Sequence, residues 1–337
     1  MSRATHDTPT PHPTKHTPPS HAAASAPPFP FIGPDDVPAL LTPVAAADAL
    51  EQALRDGLDP EEGQPRVHAP VGDGELLLMP AAGGGYAGVK LAGVAPGNPE
   101  RGLPRITGGY LLFDGPTLTP LAYVDGPALT SLRTPAVSAL ALRHLAPPGA
   151  RHLVVFGAGP QAYHHVEAAL GVAELSEVTV VARRPDAAGA LVAHAESLGL
   201  DARTGTASDV ARADLVACCT TAREPLFDGS LVPAHAAVVA VGSHEPEARE
   251  LDTELMRRSA VFVEARSAAL REAGDLLVPI AEGAFGPEHI AGTLAELVSG
   301  EITPTRGYPQ VFKSVGMAWE DLAVAAALHR AVRTGAT

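Results

Sequence analysis

Residues 240–251, AVGSHEPEAREL, close an apolar run at Val241-Gly242 and then present Ser243-His244-Glu245. A buried strand that opens into glycine and then histidine marks the edge of a site, where an imidazole titrating near neutral pH can carry a proton. A second stretch, VVFGAGPQA, spells G-x-G-x-x-A with Gly157, Gly159 and Ala162. Gly157 permits a tight turn out of a strand. Gly159 lets the backbone approach a pyrophosphate, and Ala162 lets the following helix pack closely on the strand. Pro160 lacks an N–H but suits the first helical turn, whose N-terminus faces the phosphates. Because this motif follows a strand and opens a helix, it predicts a dinucleotide site. The next strand, VTVVARRP, qualifies the cofactor. An NAD site usually offers an acid about 20 residues on, for the ribose hydroxyls. Here Ala182 is followed by Arg183 and Arg184. Two guanidiniums suit a 2′-phosphate, so NADP(H) is favoured, with NAD(H) left open.

These groups need elements to hold them. RHLVVFGAGPQAYHHVEAAL reads as strand, glycine turn and helix. SEVTVVARRP, ADLVACCTT, AAVVAVGS and SAVFVEA are further short apolar runs, and DAAGALVAHAESLGL is a crossover helix. Strands alternating with helices, apolar throughout, predict a parallel sheet covered on both faces. Ahead of it, VAAADALEQALRDGL has helical spacing and ends at Gly57, and Asp35-Asp36 can cap a helix start. GELLLMPA and GGYAGVKLAGV read as strands joined through glycines, and GGYLLFDGPTLTPLAYVDG as a hairpin. LTSLRTPAVSALALRHLA reads as a helix with Pro135 in or near its first turns. AGTLAELVSG and VGMAWEDLAVAAALHRAV return to helix, and GYPQVFKSVG is expected to lead back to the first domain.

The fold class expected is therefore α/β: a Rossmann-type parallel-sheet domain over residues 146–303, and a second α+β substrate and dimerisation domain from residues 29–145 and 304–332. Residues 1–28, rich in Pro, Thr, Ser, Ala and His, cannot build a core and are expected to form a disordered tail.

Composition narrows the partners. The 337 residues are 46% hydrophobic but only 4% aromatic, which suits helices on a parallel sheet. The net charge of −14 repels a phosphate backbone, so no nucleic acid is expected. Cys218 and Cys219 are adjacent within an apolar run, which excludes a normal disulfide framework and predicts a reducing, cytoplasmic setting. No Cys/His spacing fits a metal, and His144, His152, His164 and His165 read as structural or exposed. No apolar stretch approaches the roughly 20 residues of a membrane span, and the N-terminus has no hydrophobic signal core.

Taken in order, LLLMPA, GVKLAGV, GLP, LTSLRTPAVSALA, FGAGPQA, AVGSHEPEAREL and FKSVGMAWEDLA resemble the ornithine cyclodeaminase/mu-crystallin family, over residues 29 to 330. The resemblance implies a Rossmann domain, a second domain carrying substrate contacts, a homodimer and a small imino or amino acid as substrate. It implies Arg66 and Lys90 on the substrate carboxylate, which accords with the chemistry of two cations in an acidic chain. Arg133 is implied as a cofactor-phosphate ligand with Thr134 beside it, and Gln161 at the pyrophosphate. Thr220, Val241 and Gly242 should border the cofactor, and Ser314 and Val315 should lie near the nicotinamide and substrate. Ornithine cyclodeaminases carry aspartate where His244 stands and hold NAD tightly. His244 and the missing acid at Ala182 both depart from that pattern. The leading expectation is an NAD(P)H-dependent reductase of pyrroline-2-carboxylate or piperideine-2-carboxylate. A cyclodeaminase-like lyase, an amino-acid dehydrogenase and a non-catalytic NADPH-binding protein are the alternatives. His244 could donate the proton, with Lys90 as the rival donor; a pocket-lining or surface imidazole is the other reading of His244, since cyclic imines are often basic enough to arrive protonated.

Overall fold

The computed structural model describes residues 29–335. The tail expected over residues 1–28 lies outside them. The first half of the chain builds one sheet from β1 (Phe31–Ile32), β2 (Val67–Val71), β3 (Gly74–Gly83), β4 (Tyr86–Val94), β5 (Ile106–Asp114) and β6 (Pro120–Asp125), in the order β1-β6-β5-β4-β3-β2. All pairs are antiparallel except β1 with β6. Gly84 and Gly85, both at positive φ, make the tight β3–β4 connection, a backbone that side-chain-bearing residues resist. Register puts Met79, Lys90, Tyr110 and Val124 on one face. That face is buried. The helices of this half are α1 (Asp36–Leu40), α2 (Pro43–Arg55) and α3 (Gly126–Leu145).

Helix α3 begins earlier than LTSL. Asp125 accepts from Ala128 N at 2.8 Å and caps it, so the Asp-Gly pair starts a helix instead of turning a hairpin. Pro135 consequently lies mid-helix, not in the first turns.

The second half forms an eight-stranded, wholly parallel sheet. Its strands are β7 (His152–Phe156), β8 (Glu177–Val181), β9 (Asp201–Thr204), β10 (Leu215–Cys218), β11 (Ala237–Ala240), β12 (Ala260–Val263), β13 (Ile290–Thr293) and β14 (Gln310–Lys313). Between them run α4 (Pro160–Leu170), α5 (Pro185–Ser197), α6 (Thr253–Arg258), α7 (Arg266–Glu272), α8 (Gly274–Ala281) and α9 (Leu294–Ser299). The order is β9-β8-β7-β10-β11-β14-β12-β13, so the direction of winding reverses between β7 and β10. In open α/β sheets that reversal leaves a crevice at the carboxyl ends of the strands.

Two expectations are corrected here. Residues 310–313 do not return to the first domain: β14 fills the gap between β11 and β12, because Val311 and Phe312 are fully buried by pairing on both sides. The boundary at 304 therefore falls too early. It is α10 (Ala318–Thr334) that packs back against α2, α3 and β3. Residues 290–293 form β13, not the start of a helix. Thr293 and Glu296 then close a capping box that opens α9.

Candidate active site

One register row sets the floor of the site. Val181, Phe156, Cys218, Ala240, Lys313 and Val263 are successive partners across the sheet. The next residue of each chain, Ala182, Gly157, Cys219, Val241, Ser314 and Glu264, therefore lines the carboxyl edge. Gly157 sits at φ +106, and a Cβ there would meet the Cys219 carbonyl oxygen at 2.5 Å, so glycine is required twice over. A Cβ on Gly159 would meet nothing within 4 Å. The space before the N-terminus of α4 is open, as a pyrophosphate cradle must be, and Ala162 is fully buried behind it. These residues fit a dinucleotide.

Gln161 turns its amide toward Thr130 O, at 3.3 Å, and its buried Oε1 has no partner among the described residues. Thr220 donates N–H and Oγ to Glu250 at 2.8 and 2.7 Å, and Gly242 N donates to the same carboxylate at 2.8 Å. Arg183 and Arg184 are exposed, and neither has an ion-pair partner among the described residues. Thr134 is buried beside Arg133 on α3.

The other wall comes from the first domain and α10. Lys90, on the buried face of β4, donates to Thr130 Oγ1 at 2.5 Å and to Asp321 Oδ1 at 3.1 Å. Arg133 meets Glu320 Oε2 at 2.5 Å and approaches Asp321 Oδ1 at 3.4 Å. Its guanidinium is thus engaged by the acids of α10, beside Lys90. Arg66 donates from Nη2 to Val315 O and Gly316 O at 2.6 and 2.7 Å and pairs with Glu272 at 2.9 Å. Gly316, at φ +74, lies against the Arg133 guanidinium: a Cβ there would meet Nη1 at 2.6 Å. Val315 N and Gly316 N donate to Glu264, and Ser314 Oγ donates to it at 2.6 Å. Beside Arg66 opens a cavity of about 480 Å³, lined among others by Met79, Glu272, Gly316, Met317 and Trp319.

Electrostatics distinguishes the two candidate proton carriers. Burial lowers the Lys90 pKa, with Arg133 adding to the shift and Asp321 opposing it. A lysine shifted downward yields its proton more readily. The His244 ring is exposed at its edge and has no hydrogen-bond partner among the described residues. Partial desolvation, and then the charge on Arg66, push its pKa below the ordinary imidazole value, which favours the neutral ring. Burial and the neighbouring Glu264 raise the Glu320 pKa well above the carboxylate range.

Sequence reasoning missed the acids. Glu272, Glu320 and Asp321 hold the cations in place, Glu264 holds Ser314 and the Val315–Gly316 backbone, and Glu250, Asp275 and Lys313 form a second buried group. Glu320-Asp321 looks like ordinary helix-start acid in WEDL. Lys313 was legible on the argument applied to Lys90, a lysine inside an apolar strand. Among the described residues no cluster of His, Cys, Asp and Glu could hold a metal ion, and no helix is long and apolar enough to cross a membrane.

A model of the ornithine cyclodeaminase/mu-crystallin family matches residues 35–336. The ketimine reductase mu-crystallin of Rattus norvegicus is 36% identical over 85% of this chain and 91% of its own. Among solved structures, Thermococcus litoralis Δ1-pyrroline-2-carboxylate reductase in complex with NADH and L-proline superposes with a TM-score of 0.85 at 28% identity, covering 91% of this chain and 98% of that one. An archaeal alanine dehydrogenase dimer with bound NAD does so at 0.85 and 29%, covering 92% and 97%.

Proposed function

This chain belongs to the ornithine cyclodeaminase/mu-crystallin family, and from that premise we propose that it reduces the C=N bond of a small cyclic imino acid, pyrroline-2-carboxylate or piperideine-2-carboxylate, with NAD(P)H. The observation that carries the reading is the convergence of Arg66, Lys90 and Arg133 around Gly316 and Asp321, beside the carboxyl edge of the parallel sheet. Three cations in a chain of net charge −14 suit one small carboxylate.

The reduction adds one hydride to the imine carbon and one proton to its nitrogen. A bound reduced nicotinamide supplies the hydride. Arg66, held by two carbonyls and Glu272, anchors the carboxylate with Lys90; Arg133, expected at a cofactor phosphate, is read instead as a further anchor because Glu320 and Asp321 turn it toward Gly316 beside Lys90. Anchoring turns the imine carbon toward the strand edge and fixes its approach. Lys90 delivers the proton from Nζ, held in line by Thr130 and Asp321. His244, exposed and with a lowered pKa, is left without the donor role.

Arg183 and Arg184, exposed and with no ion-pair partner among the described residues where an NAD site presents an acid, support a preference for NADP(H). Phe31, Val67, Leu91 and Tyr123, exposed on the face of the first sheet opposite Lys90 and Tyr110, support a homodimer. The unpaired Cys218 and Cys219 support a reducing, cytoplasmic location.

Loss of reduced-nicotinamide absorbance on mixing purified protein with either imine and NADPH, or NADH in parallel, tests the reading. Ammonia from ornithine with NAD, and no imine turnover, would establish a cyclodeaminase instead. The alanine dehydrogenase likeness favours a second reading, oxidation of an amino acid on the same anchor, detected as reduction of NAD(P) with alanine. Cofactor binding without any turnover would leave a binding protein.

A further inference from the structure

Lys313 is the last residue of β14 and is fully buried, as are Asp275 in the first turn of α8 and Glu250. Lys313 Nζ donates to Ser243 O at 2.7 Å and pairs with Asp275 Oδ2 at 3.0 Å. Asp275 Oδ1 accepts from Glu250 N and Leu251 N at 2.8 and 2.9 Å. The Glu250 carboxylate takes Thr220 N, Thr220 Oγ1 and Gly242 N. Asp275 thus links the Lys313 side chain to the backbone of Glu250, and the contacts continue through the Glu250 carboxylate to backbone groups of both loops that leave β10 and β11. The loops touch with no room between them: a Cβ on Gly242 would meet Thr220 O at 1.9 Å and Glu250 Oε1 at 2.6 Å.

Stability does not account for this group. A buried ion pair is often no better than apolar residues of the same volume, because desolvation offsets the attraction. What the group does achieve is directional. It fixes a carbonyl, two amides and a hydroxyl at the sheet's carboxyl edge, on the side of the winding reversal opposite to β8 and β9. Gly157 and Gly159 belong to the β7–α4 turn and take no hydrogen bond from the three side chains; the turn meets the held loop where Gly157 packs on the Cys219 carbonyl and Cys219 N donates to Phe156 O.

We propose that Lys313, Asp275 and Glu250 are positioning residues for the nicotinamide half of the cofactor cleft, holding residues 219–220 and 241–244 in place, while the adenosine half at the α4 N-terminus and the end of β8 takes no hydrogen bond from them. This rests on the reading of the cleft as a dinucleotide site.

The test compares binding of whole cofactor with binding of the same molecule lacking nicotinamide: NADPH against 2′-phospho-ADP-ribose, and NADH against ADP-ribose, by calorimetry. Lys313→Met alone leaves Asp275 charged and unpaired in the interior and can unfold the protein. Lys313→Met/Asp275→Asn removes both charges and keeps Oδ1 as acceptor for Glu250 N and Leu251 N. The double variant is expected to bind the fragment as the parent does and to lose at least about tenfold of the parent's extra affinity for the whole cofactor, about 1.4 kcal/mol. Amide exchange should rise at Thr220 and Gly242 and stay unchanged in β7. An unchanged ratio of whole-cofactor to fragment affinity, or an equal loss of both, would overturn the proposal while leaving the dinucleotide reading intact. A parent protein that binds neither molecule would overturn the dinucleotide reading, and the proposal with it.

Discussion

At the scale of single residues, the assignment of the proton donor turns on two lowered pKa values with opposite consequences. Lys90 is buried, and lowering its pKa makes its ammonium a stronger acid. His244 is lowered too, but from an ordinary imidazole value already near 6.5, so the shift favours the ring that has no proton to give. Lys90→Met should therefore reduce kcat by about 100- to 10,000-fold, the range of general acid catalysis, while His244→Ala should change it less than about tenfold. The sign with pH follows. Reduction that depends on protonated Lys90 falls as pH rises through the lowered lysine pKa, and Lys90→Met abolishes that limb. If the acid were His244, the rate would climb on acidification through the lowered imidazole pKa and His244→Ala would remove that climb. A pH profile of kcat for the three proteins separates the cases. At the same scale, Arg183→Ala/Arg184→Ala should raise KM for NADPH by about tenfold or more, as loss of charge-assisted hydrogen bonds to a phosphate would, and leave KM for NADH within about twofold. Equal effects on both cofactors would remove the argument for a 2′-phosphate site.

Between elements, the seating of α4 on α3 carries a pH dependence of its own. His165 is buried, and its Nδ1 faces the Gln161 carbonyl at 2.7 Å, which can only accept, so Nδ1 bears the hydrogen. Nε2 then accepts from Ser138 Oγ at 2.9 Å. Both nitrogens are satisfied by the neutral ring, and burial lowers the pKa to about 4. Unfolded, the same imidazole titrates near 6.5 and binds more protons than the native state between those values, so stability falls as pH falls through that window. Going from pH 7 to pH 5 should remove about 2 kcal/mol on this account. Urea unfolding of the parent and of His165→Gln at the two pH values checks it: the variant should show a smaller difference. How much of this could be read in advance depended on whether a residue's neighbours in sequence were also its neighbours in space. The glycine turn, the parallel strands and the α2 stop at Gly57 are local and were legible. β14 was not, because QVFK reads like the end of a loop until β11 and β12 are known to lie either side of it. Pro135 was misplaced because an Asp-Gly pair signals both turns and caps, and here Asp125 caps a helix that already begins at Gly126. In the site, the cations were legible as rare charges in apolar or glycine-flanked stretches. Their carboxylate partners, 187 residues away for Arg133 and 231 for Lys90, were not.

For the whole molecule, the first sheet poses a problem that one copy does not solve. Its helix-facing side is buried, yet the register also aligns Phe31, Tyr123, Leu111 and Val89 on the outer side, and Leu91, Leu78 and Val67 in a second row of that same side. Phe31, Val67, Leu91 and Tyr123 are 59%, 53%, 43% and 37% exposed, and the Phe31 and Tyr123 rings stack at 5.8 Å. A contiguous apolar face of this kind, on an otherwise strongly acidic chain, is the mark of an interface. A second copy is the natural cover, since the same patch on both partners satisfies two-fold symmetry and about 800 Å² per partner makes a stable contact. Lys90 lies on β4 with its side chain toward the site and its neighbour Leu91 toward the outer face. The strand that carries the proton donor would therefore be stiffened by dimerisation. Sedimentation should show a dimer for the parent. Leu91→Glu should place an unpaired carboxylate in the contact and raise the dimer dissociation constant by about 100-fold or more, ~3 kcal/mol. Activity measured well below the new dissociation constant should fall with the dimer, through kcat as Lys90 loses its fixed backbone. A parent that sediments as a monomer, or a Leu91→Glu protein that remains dimeric, would place the interface elsewhere.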